Sequence, residues 1–198
     1  MNPGIAFFDF DGTITTKDTL FEMARFQRSK QAYWKGLFTL LPTFVAVKLK
    51  LIPAAKGKEK MLTYFLGGTS ERHFNMTCRD FCRNILPNYI RPQAITAITK
   101  HLSEGHDVVV VTASAENWVQ PWCDSLGIQC IGTKLEVAQG KFTGRIAGEN
   151  CNGAEKVNRI RAAYDLANYE QVFAYGDTSG DKPMLALAKE GFFKPFRN

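Results

Sequence analysis

Two aspartates, Asp9 and Asp11, follow directly after the apolar run from Ile5 to Phe8. Such a short apolar run is typical of a buried parallel strand, whose carboxyl end lies where α/β sheets bind ligands. Side chains two residues apart on a strand point to the same side, so the two carboxylates would repel each other. The pair predicts a bound cation or a reactive role. The alternative is a solvated strand end that leads into an Asp-Gly turn.

A second acidic group has the same plan. The apolar run Val172–Gly176 predicts another buried strand, and it leads into Asp177 and, four residues later, Asp181. If both strands belong to one parallel sheet, their carboxyl ends meet at the same edge. Three or four carboxylates together with loop carbonyls form the hard oxygen site that suits Mg²⁺.

The segment between these clusters carries groups suited to phosphate. Residues 107–111 are rich in valine and predict a buried strand, which ends at Thr112 before a helix expected from about Glu116. A hydroxyl and free amides at such a strand-to-helix turn can hold phosphate oxygens. The alternative for Ser114 is that it is the N-cap of that helix, which is compatible with Thr112 as the phosphate ligand. Lys156 opens an amphipathic segment at 154–167 and, taken alone, is typical of a solvated surface residue.

Taken in order, these motifs resemble a known set. The sequence Asp-Phe-Asp-Gly-Thr at 9–13, the strand ending in Thr112, Lys156, and Gly-Asp-Thr-Ser-Gly-Asp at 176–181 resemble the four motifs of the haloacid dehalogenase (HAD) superfamily of phosphohydrolases. Finer details are similar to subfamily IB, the group of phosphoserine phosphatase. These details are Val-Val-Val-Thr-Ala-Ser at 109–114, Trp118 and Pro121, Gly-Ala-Glu-Lys-Val at 153–157, and Lys-Pro-Met-Leu at 182–185.

The resemblance implies a phosphatase reaction at Asp9. This residue would be the nucleophile that attacks phosphorus to give an aspartyl phosphate. Asp11 would act as general acid on the leaving alkoxide and then as base on the hydrolytic water.

The resemblance also implies a ligand set. Mg²⁺ would be bound by the Asp9 carboxylate, the Asp11 backbone carbonyl, Asp177 and Asp181. Thr112 and the amide of Ala113 would orient the phosphate, and Lys156 would add positive charge near its oxygens.

The motif positions predict the architecture. Residues 1–15 and 91–198 would form an α/β core with a doubly wound, mostly parallel sheet, including a hairpin at 134–146 around Gln139-Gly140. Residues 16–90 read as mostly helical, punctuated at Pro42, Pro53, Gly67-Gly68 and Pro87. They would form a cap inserted after the first strand, able to exclude water and select the leaving group.

The substrate is predicted less directly. Phosphoserine phosphatases of this subfamily hold the amino group of serine with an acidic residue and its carboxylate with a cap arginine. Asp18 or Glu22 can serve the first role, but residues 29–70 contain no arginine. The carboxylate partner would then be Lys56, Lys58 or Lys60, although lysine lacks the bidentate fork of arginine. We select Asp18, Glu22 and Lys60 as the candidate substrate-selecting residues.

A lipid phosphate is the first alternative substrate. Residues 34–52 are rich in Leu, Phe and Val and are followed by lysines, a combination that binds anionic lipid, although a cap helix packed on its neighbours also explains it. Some subfamily IB relatives dephosphorylate phosphatidylglycerophosphate, and this chain is similar to them in its Thr-Ala-Ser motif and apolar cap.

A second alternative is a module that accepts a phosphoryl group or binds a metal without turnover, as receiver domains do. Asp11 distinguishes the two classes, because a long-lived phosphoaspartate has no use for a general acid two residues away.

Composition bounds the remaining expectations. The 198 residues can bury one α/β core, and the formal charge of +6 is spread without the aromatic-interleaved basic motif that favours nucleic acid. Five cysteines without zinc spacing predict reduced thiols, and the three histidines are too dispersed in sequence to predict a metal cluster. Without a secretory signal or an apolar span, we expect a cytoplasmic protein that is either free or peripheral at the inner face of the membrane. The sequence leaves its oligomeric state open.

Overall fold

A computed structural model describes residues 4–197. Its main sheet has five parallel strands in the order β3-β2-β1-β6-β7. The strands are β1 (Ile5–Phe8), β2 (Asp107–Ala115), β3 (Gln129–Thr133), β6 (Val172–Gly176) and β7 (Glu190–Phe193). The predicted doubly wound α/β fold is therefore confirmed, and β1, which ends directly before Asp9, is the central strand.

Helices cover both faces of this sheet because its strands are apolar on both sides. Ala6 and Phe8 face one buried cluster, whereas Ile5 and Phe7 face the other. The helices outside the 16–90 segment are α5 (Pro92–Ser103), α6 (Glu116–Leu126), α7 (Ala154–Ala163) and α8 (Lys182–Leu185). Helix α7 ends four residues before the predicted boundary. Tyr164 is extended, and the Asp165 side chain accepts the Ala167 amide to begin a separate short turn.

Residues 16–90 contain four helices, α1 (Thr19–Gln27), α2 (Lys30–Lys48), α3 (Ala54–Leu66) and α4 (Glu71–Asn84), followed by a short turn at Leu86–Tyr89. The two connections of this segment run side by side. Thr15 pairs with Ile90, and the Arg91 amide donates to the Ile14 carbonyl. Both ends of the segment therefore meet just beyond the carboxyl end of β1.

The predicted break in helical structure at Pro42 is absent, because Pro42 lies inside α2. Close packing against α3 holds the helix on both sides of it. A Cβ added to Gly36 would lie 2.5 Å from the Tyr64 ring, and one added to Gly57 would lie 2.5 Å from Val47. The absence of a side chain at these two glycines lets α2 and α3 pack closely, which helps α2 to continue despite the backbone hydrogen bond that a proline removes.

The hairpin was predicted correctly, but it lies outside the main sheet. Strands β4 (Leu135–Ala138) and β5 (Lys141–Ile146) form a separate antiparallel pair. Gln139 and Gly140 both have positive φ, 51° and 70°, as a two-residue hairpin turn of the primed type requires. The Phe142 amide and carbonyl bond to Thr69 and Gly68. The hairpin is therefore attached to the end of α3 in the 16–90 segment.

Candidate active site

Lys156 is the centre of a buried charge cluster at the carboxyl edge of the sheet. It lies in the first turn of α7 and is only 1% exposed. Its Nζ donates to Asp9 Oδ1 at 2.6 Å, to Asp181 Oδ1 at 2.7 Å and to the Val111 carbonyl at 2.7 Å. One ammonium thus joins β2 to the segments that follow β1 and β6, and the surface-residue alternative for Lys156 does not apply.

The ionisation of this cluster follows from burial and charge pairing. Burial raises the pKa of Asp9 to about 7, although Lys156 opposes the shift. Burial alone would lower the pKa of Lys156, but the charges of Asp9 and Asp181 raise it above its usual range. Burial would likewise raise the pKa of Asp181, yet Lys156 and the Thr178 donors hold it below its ordinary value. Asp181 and Lys156 therefore form an ion pair, whereas burial opposes the ionisation of Asp9.

Asp177 completes a set of three carboxylates. One oxygen each from Asp9, Asp177 and Asp181 lies within 4.8 Å of the others. The Thr13 hydroxyl lies 3.0 Å from Asp9 Oδ2 and 3.3 Å from Asp177 Oδ1, and the Arg197 guanidinium donates to Asp177 Oδ2. Converging hard oxygen donors of this kind fit Mg²⁺.

Gly12 makes the approach of the two strand ends possible. Its φ is +83°, and an added Cβ would lie 2.5 Å from Asp177 Oδ2. A side chain at this position would be strained by the backbone and would collide with the carboxylate. The glycine therefore allows the turn after Asp9 to lie directly against Asp177.

Asp11 faces a different direction from Asp9. β1 ends at Phe8, so the alternation of side chains along a strand does not extend to Asp11. Asp11 Oδ1 accepts the Thr19 amide at 2.7 Å and the Thr19 hydroxyl at 2.6 Å, and its Oδ2 accepts the Ser114 hydroxyl at 2.5 Å. Its carboxylate thus lies between the amino end of α1 and the second motif, outside the three-carboxylate group.

The second motif is organised differently from the sequence-based expectation. Thr112 is fully buried in β2, and its hydroxyl accepts the Ser114 amide at 2.9 Å. The N-cap of α6 is Ala115, not Ser114, whose hydroxyl instead binds Asp11. The Ala113 carbonyl accepts from the Thr133 hydroxyl at 2.6 Å and from Lys58 Nζ.

A pocket opens beside Asp11, with a volume of about 320 Å³. Lys58 of α3 reaches into it, and its Nζ also donates to Asn150 Oδ1 at 2.8 Å. Burial lowers the pKa of Lys58 to about 8, although Asp11 and Asp18 oppose the shift. The walls are mostly apolar and come from α1, α2 and α3. They are formed by Leu20, Phe21, Phe44, Val47, Ala54, Gly57 and Met61.

The substrate-selecting candidates fall in three different environments. Asp18 lines the pocket, and its pKa is raised to about 6 by partial withdrawal from water and by the nearby Asp11 charge. Glu22 is turned toward Tyr89, whose hydroxyl donates to it at 2.8 Å. Lys60 is exposed and borders a separate depression with Lys56 and Tyr64. Lys58 takes the position in the pocket because a shift of two residues on a helix turns a side chain to another face.

Several groups at the site were missed by the sequence analysis. Thr19, Ser114 and Asn150 are single polar residues, and nothing in their local sequence distinguishes them from surface positions. A usable signal existed for Thr13 alone, since it follows Asp-Gly in the first motif. The others could be found only from the three-dimensional arrangement.

Comparisons with known proteins agree with this geometry. Residues 6–186 match the family model of the haloacid dehalogenase-like hydrolases. Protein CicA of Caulobacter vibrioides is 33% identical over 98% of this chain and 87% of its own length. Phosphoserine phosphatase SerB1 of Mycobacterium tuberculosis is 26% identical over 92% of this chain and 61% of its own length.

The fold is also found among solved structures. The structure of a phospho-aspartyl intermediate analogue of phosphoserine phosphatase aligns with a TM-score of 0.67 and 18% identity, over 98% of this chain and 86% of that chain. At this level of identity the likeness establishes the fold.

Proposed function

Because this chain belongs to the haloacid dehalogenase-like hydrolase family, we propose that it hydrolyses phosphomonoesters through an aspartyl phosphate on Asp9. The observation that carries this proposal is the contact of Lys156 with both Asp9 and Asp181 in a buried site beside Asp177. Phosphoryl transfer depends mainly on positioning and on neutralising the charge of the phosphate, and this cluster supplies both.

Different residues at the site have different roles in the proposed reaction. Lys156 and Thr13 hold the two oxygens of Asp9, so that the carboxylate is oriented before substrate binds. Asp11, held by Ser114 and Thr19, gives a proton to the leaving alkoxide and later takes one from water. Mg²⁺, when bound by Asp9, Asp177 and Asp181, supplies positive charge to the phosphate oxygens.

The activity is tested by the Asp9→Asn variant. With p-nitrophenyl phosphate and Mg²⁺, the wild-type protein should turn over, and the variant should lose about 10³-fold or more in kcat, since an amide cannot act as the nucleophile. Asp80→Asn, a change of the same kind on the exposed surface of α4, should leave the rate unchanged. Wild-type rates in Asp9→Asn would contradict the mechanism. A wild-type protein without turnover would favour the non-hydrolytic module.

For the substrate, we propose a small phosphorylated metabolite similar to phosphoserine. Lys58 and Asp18 line the pocket beside Asp11 and carry the opposite charges that a carboxylate and an ammonium require. A relative named phosphoserine phosphatase supports this class. A screen of phosphoserine, sugar phosphates and nucleotides tests it. Phosphoserine should have the highest kcat/KM, and equal rates on all three would contradict the assignment.

A lipid phosphate is a second candidate because of the outer face of α2. Trp34, Phe38, Leu41 and Val45 form an exposed apolar stripe, and Phe38 is 79% exposed. The inner face of the same helix gives Phe44 to the pocket wall. Residues 23–58 contain no Asp or Glu but several lysines, a charge balance that suits an anionic bilayer.

Vesicle sedimentation tests this candidate. Vesicles containing phosphatidylglycerol should bind the wild-type protein, and Phe38→Glu should abolish binding because it places a charge in the apolar stripe. Met76→Glu, at another exposed apolar residue on α4, should bind normally. In the activity arm, phosphatidylglycerophosphate in vesicles should be a better substrate than phosphoserine. Absence of wild-type binding would exclude the lipid candidate and leave the soluble substrate.

A further inference from the structure

Two histidines and a glutamate meet where α5 turns into β2. His101 lies in the last turn of α5, Glu104 follows the helix, and His106 directly precedes the strand. The two Nδ1 atoms are 2.9 Å apart, and Glu104 Oε2 is 3.8 Å from His106 Nδ1. One ligand atom from each of the three residues lies within 4.8 Å of the others. The expectation that the histidines are too dispersed to form such a group was therefore wrong for this pair.

We propose that His101, His106 and Glu104 form a second metal site, which takes a divalent transition-metal ion such as Zn²⁺. It is distinct from the candidate active site. His106 adjoins the amino end of β2, whereas Asp9 follows the carboxyl end of the parallel neighbour β1. Two imidazoles and one carboxylate favour Zn²⁺ over Mg²⁺, which prefers oxygen ligands alone.

The separation of the ligand atoms suits zinc. With Zn–N distances of about 2.0–2.1 Å and tetrahedral angles, two ligating nitrogens lie about 3.3 Å apart. The two Nδ1 atoms at 2.9 Å need to separate by only a few tenths of an ångström. Glu104 is partly exposed and can turn toward the same point, which leaves a fourth position open to water.

Tyr175 fixes the orientation that His101 needs as a ligand. His101 Nε2 lies 2.9 Å from the Tyr175 hydroxyl, and this ring nitrogen carries the proton when Nδ1 binds metal. Tyr175 is itself held by stacking on Phe8, with ring centroids 4.3 Å apart. An outer partner of this kind is the usual support of a metal-binding histidine.

Both rings are held in place without metal. His101 is 4% exposed and packs against Phe173, with ring centroids 4.7 Å apart. The His106 ring stacks on the Phe173 ring, with centroids 5.5 Å apart, and lies close to the backbone of Gly4.

A hydrogen-bonded chain without metal is the competing explanation. A single proton between the two Nδ1 atoms, together with the Tyr175 hydroxyl on His101 Nε2, satisfies these groups. This arrangement does not use Glu104, whose other neighbour is the exposed Lys100 at 3.8 Å. The two explanations differ in whether the protein takes up a stoichiometric transition metal.

The test is Zn²⁺ binding by calorimetry and thermal unfolding, on tag-free protein in excess Mg²⁺ so that the acidic site is occupied. The wild-type protein should bind one equivalent of Zn²⁺ and unfold several degrees higher. His106→Gln should lose most of both effects, and Asp177→Asn should keep them. His73→Gln, the same change at an exposed histidine on α4, is the matched control and should behave as wild type.

A second readout does not depend on stability. In nitrogen-15 spectra of histidine side chains, Zn²⁺ should shift the Nδ1 signals of two histidines and leave the third unchanged. Zn²⁺ binding that survives in His106→Gln but disappears in Asp177→Asn would assign the ion to the acidic site and overturn the proposal. Absence of stoichiometric binding to the wild-type protein would also overturn it.

Discussion

At the scale of single residues, Lys156 has a structural role besides the chemical one proposed for it. Asp9 and Asp181 would repel each other in a buried site, and Lys156 offsets both charges from one position. An ammonium that bonds to two carboxylates and a carbonyl has all three of its hydrogens satisfied. Its removal leaves two buried carboxylates without their main partner, which is costly.

Lys156→Met should therefore lower the free energy of unfolding by about 3 kcal/mol and abolish turnover. Part of the lost stability should return as pH falls from 7 to 5. Without Lys156 the folded state favours protonated carboxyls, and a carboxyl with a raised pKa in the folded state gains stability as it takes up a proton. Urea unfolding at several pH values measures this.

Lys182→Met is the control, because Lys182 is exposed on α8 and its loss should cost well under 1 kcal/mol. If Lys156→Met were as stable as Lys182→Met at pH 7, the structural role would be wrong.

The sequence located those site residues for which the motif shows both the side-chain chemistry and a position just after a predicted strand. Asp9, Asp177 and Asp181 were predicted to meet, and they do, because parallel strands bring their carboxyl ends together. Ser114 was assigned to a cap although it binds Asp11, since a serine before a helix reads the same in either role. His101 and His106 became neighbours only because a turn follows α5.

At the scale of elements, Lys58 of α3 links the 16–90 segment to two parts of the core. Lys58 donates to the Ala113 carbonyl on β2 and to Asn150, which precedes α7. The same ammonium lines the pocket beside Asp11. Sequence reasoning named Lys56, Lys58 and Lys60 of the same helix as possible carboxylate partners and selected Lys60. The sequence could not order the three, because a count of lysines does not reveal which face of α3 points inward.

Lys58→Met should raise KM for an anionic substrate about tenfold, since a charged hydrogen bond is lost. The pKa of Lys58 is lowered to about 8, so the ammonium is present below that pH and lost above it. The wild-type kcat/KM should therefore fall above pH 8, whereas that of Lys58→Met should be low and should not change in that range.

Lys60→Met tests whether any lysine of α3 suffices. It removes an exposed lysine two positions away and should keep the wild-type pH profile. A profile that is the same in Lys58→Met and wild type would show that another group titrates.

The pocket walls explain why the substrate class was hard to predict. Phe44 and Val47 from α2 meet Leu20 and Phe21 from α1 in the pocket, yet these residues are more than twenty positions apart in the chain. Apolar periodicity predicts that a helix buries a face, but not which cavity that face borders. Helix α2 has apolar residues on both faces, and its sequence gives no indication that only one of them is covered.

At the scale of the whole molecule, a metal at the acidic site would link the ends of β1 and β6. Within residues 4–197, no helix is both long enough and apolar enough to cross a bilayer. In the described part of the chain, the cluster of Asp9, Asp177 and Asp181 lies at the carboxyl edge of the main sheet. Neutralising three buried carboxylates at this edge should stabilise the entire fold.

Mg²⁺ should accordingly raise the melting temperature. At a free concentration 100 times its Kd it adds about 2.7 kcal/mol, which corresponds to about 5–10 °C for a chain of this size. Differential scanning calorimetry with and without EDTA measures the shift. Asp177→Asn should lose most of it, because Asp177 is one of the three candidate ligands. An equal shift in Asp177→Asn and wild type would place Mg²⁺ elsewhere.

The position of β1 at the centre of the sheet has a consequence for synthesis. Ile5 pairs with Asp107 on one side and Val172 on the other, so β1 is synthesised before either of the strands with which it pairs. During translation its apolar residues stay uncovered, as they do in slow-folding topologies with distant pairings. We expect chaperones to bind the nascent chain at this strand. We also expect that an incomplete chain cannot hydrolyse phosphomonoesters before Asp181 has emerged.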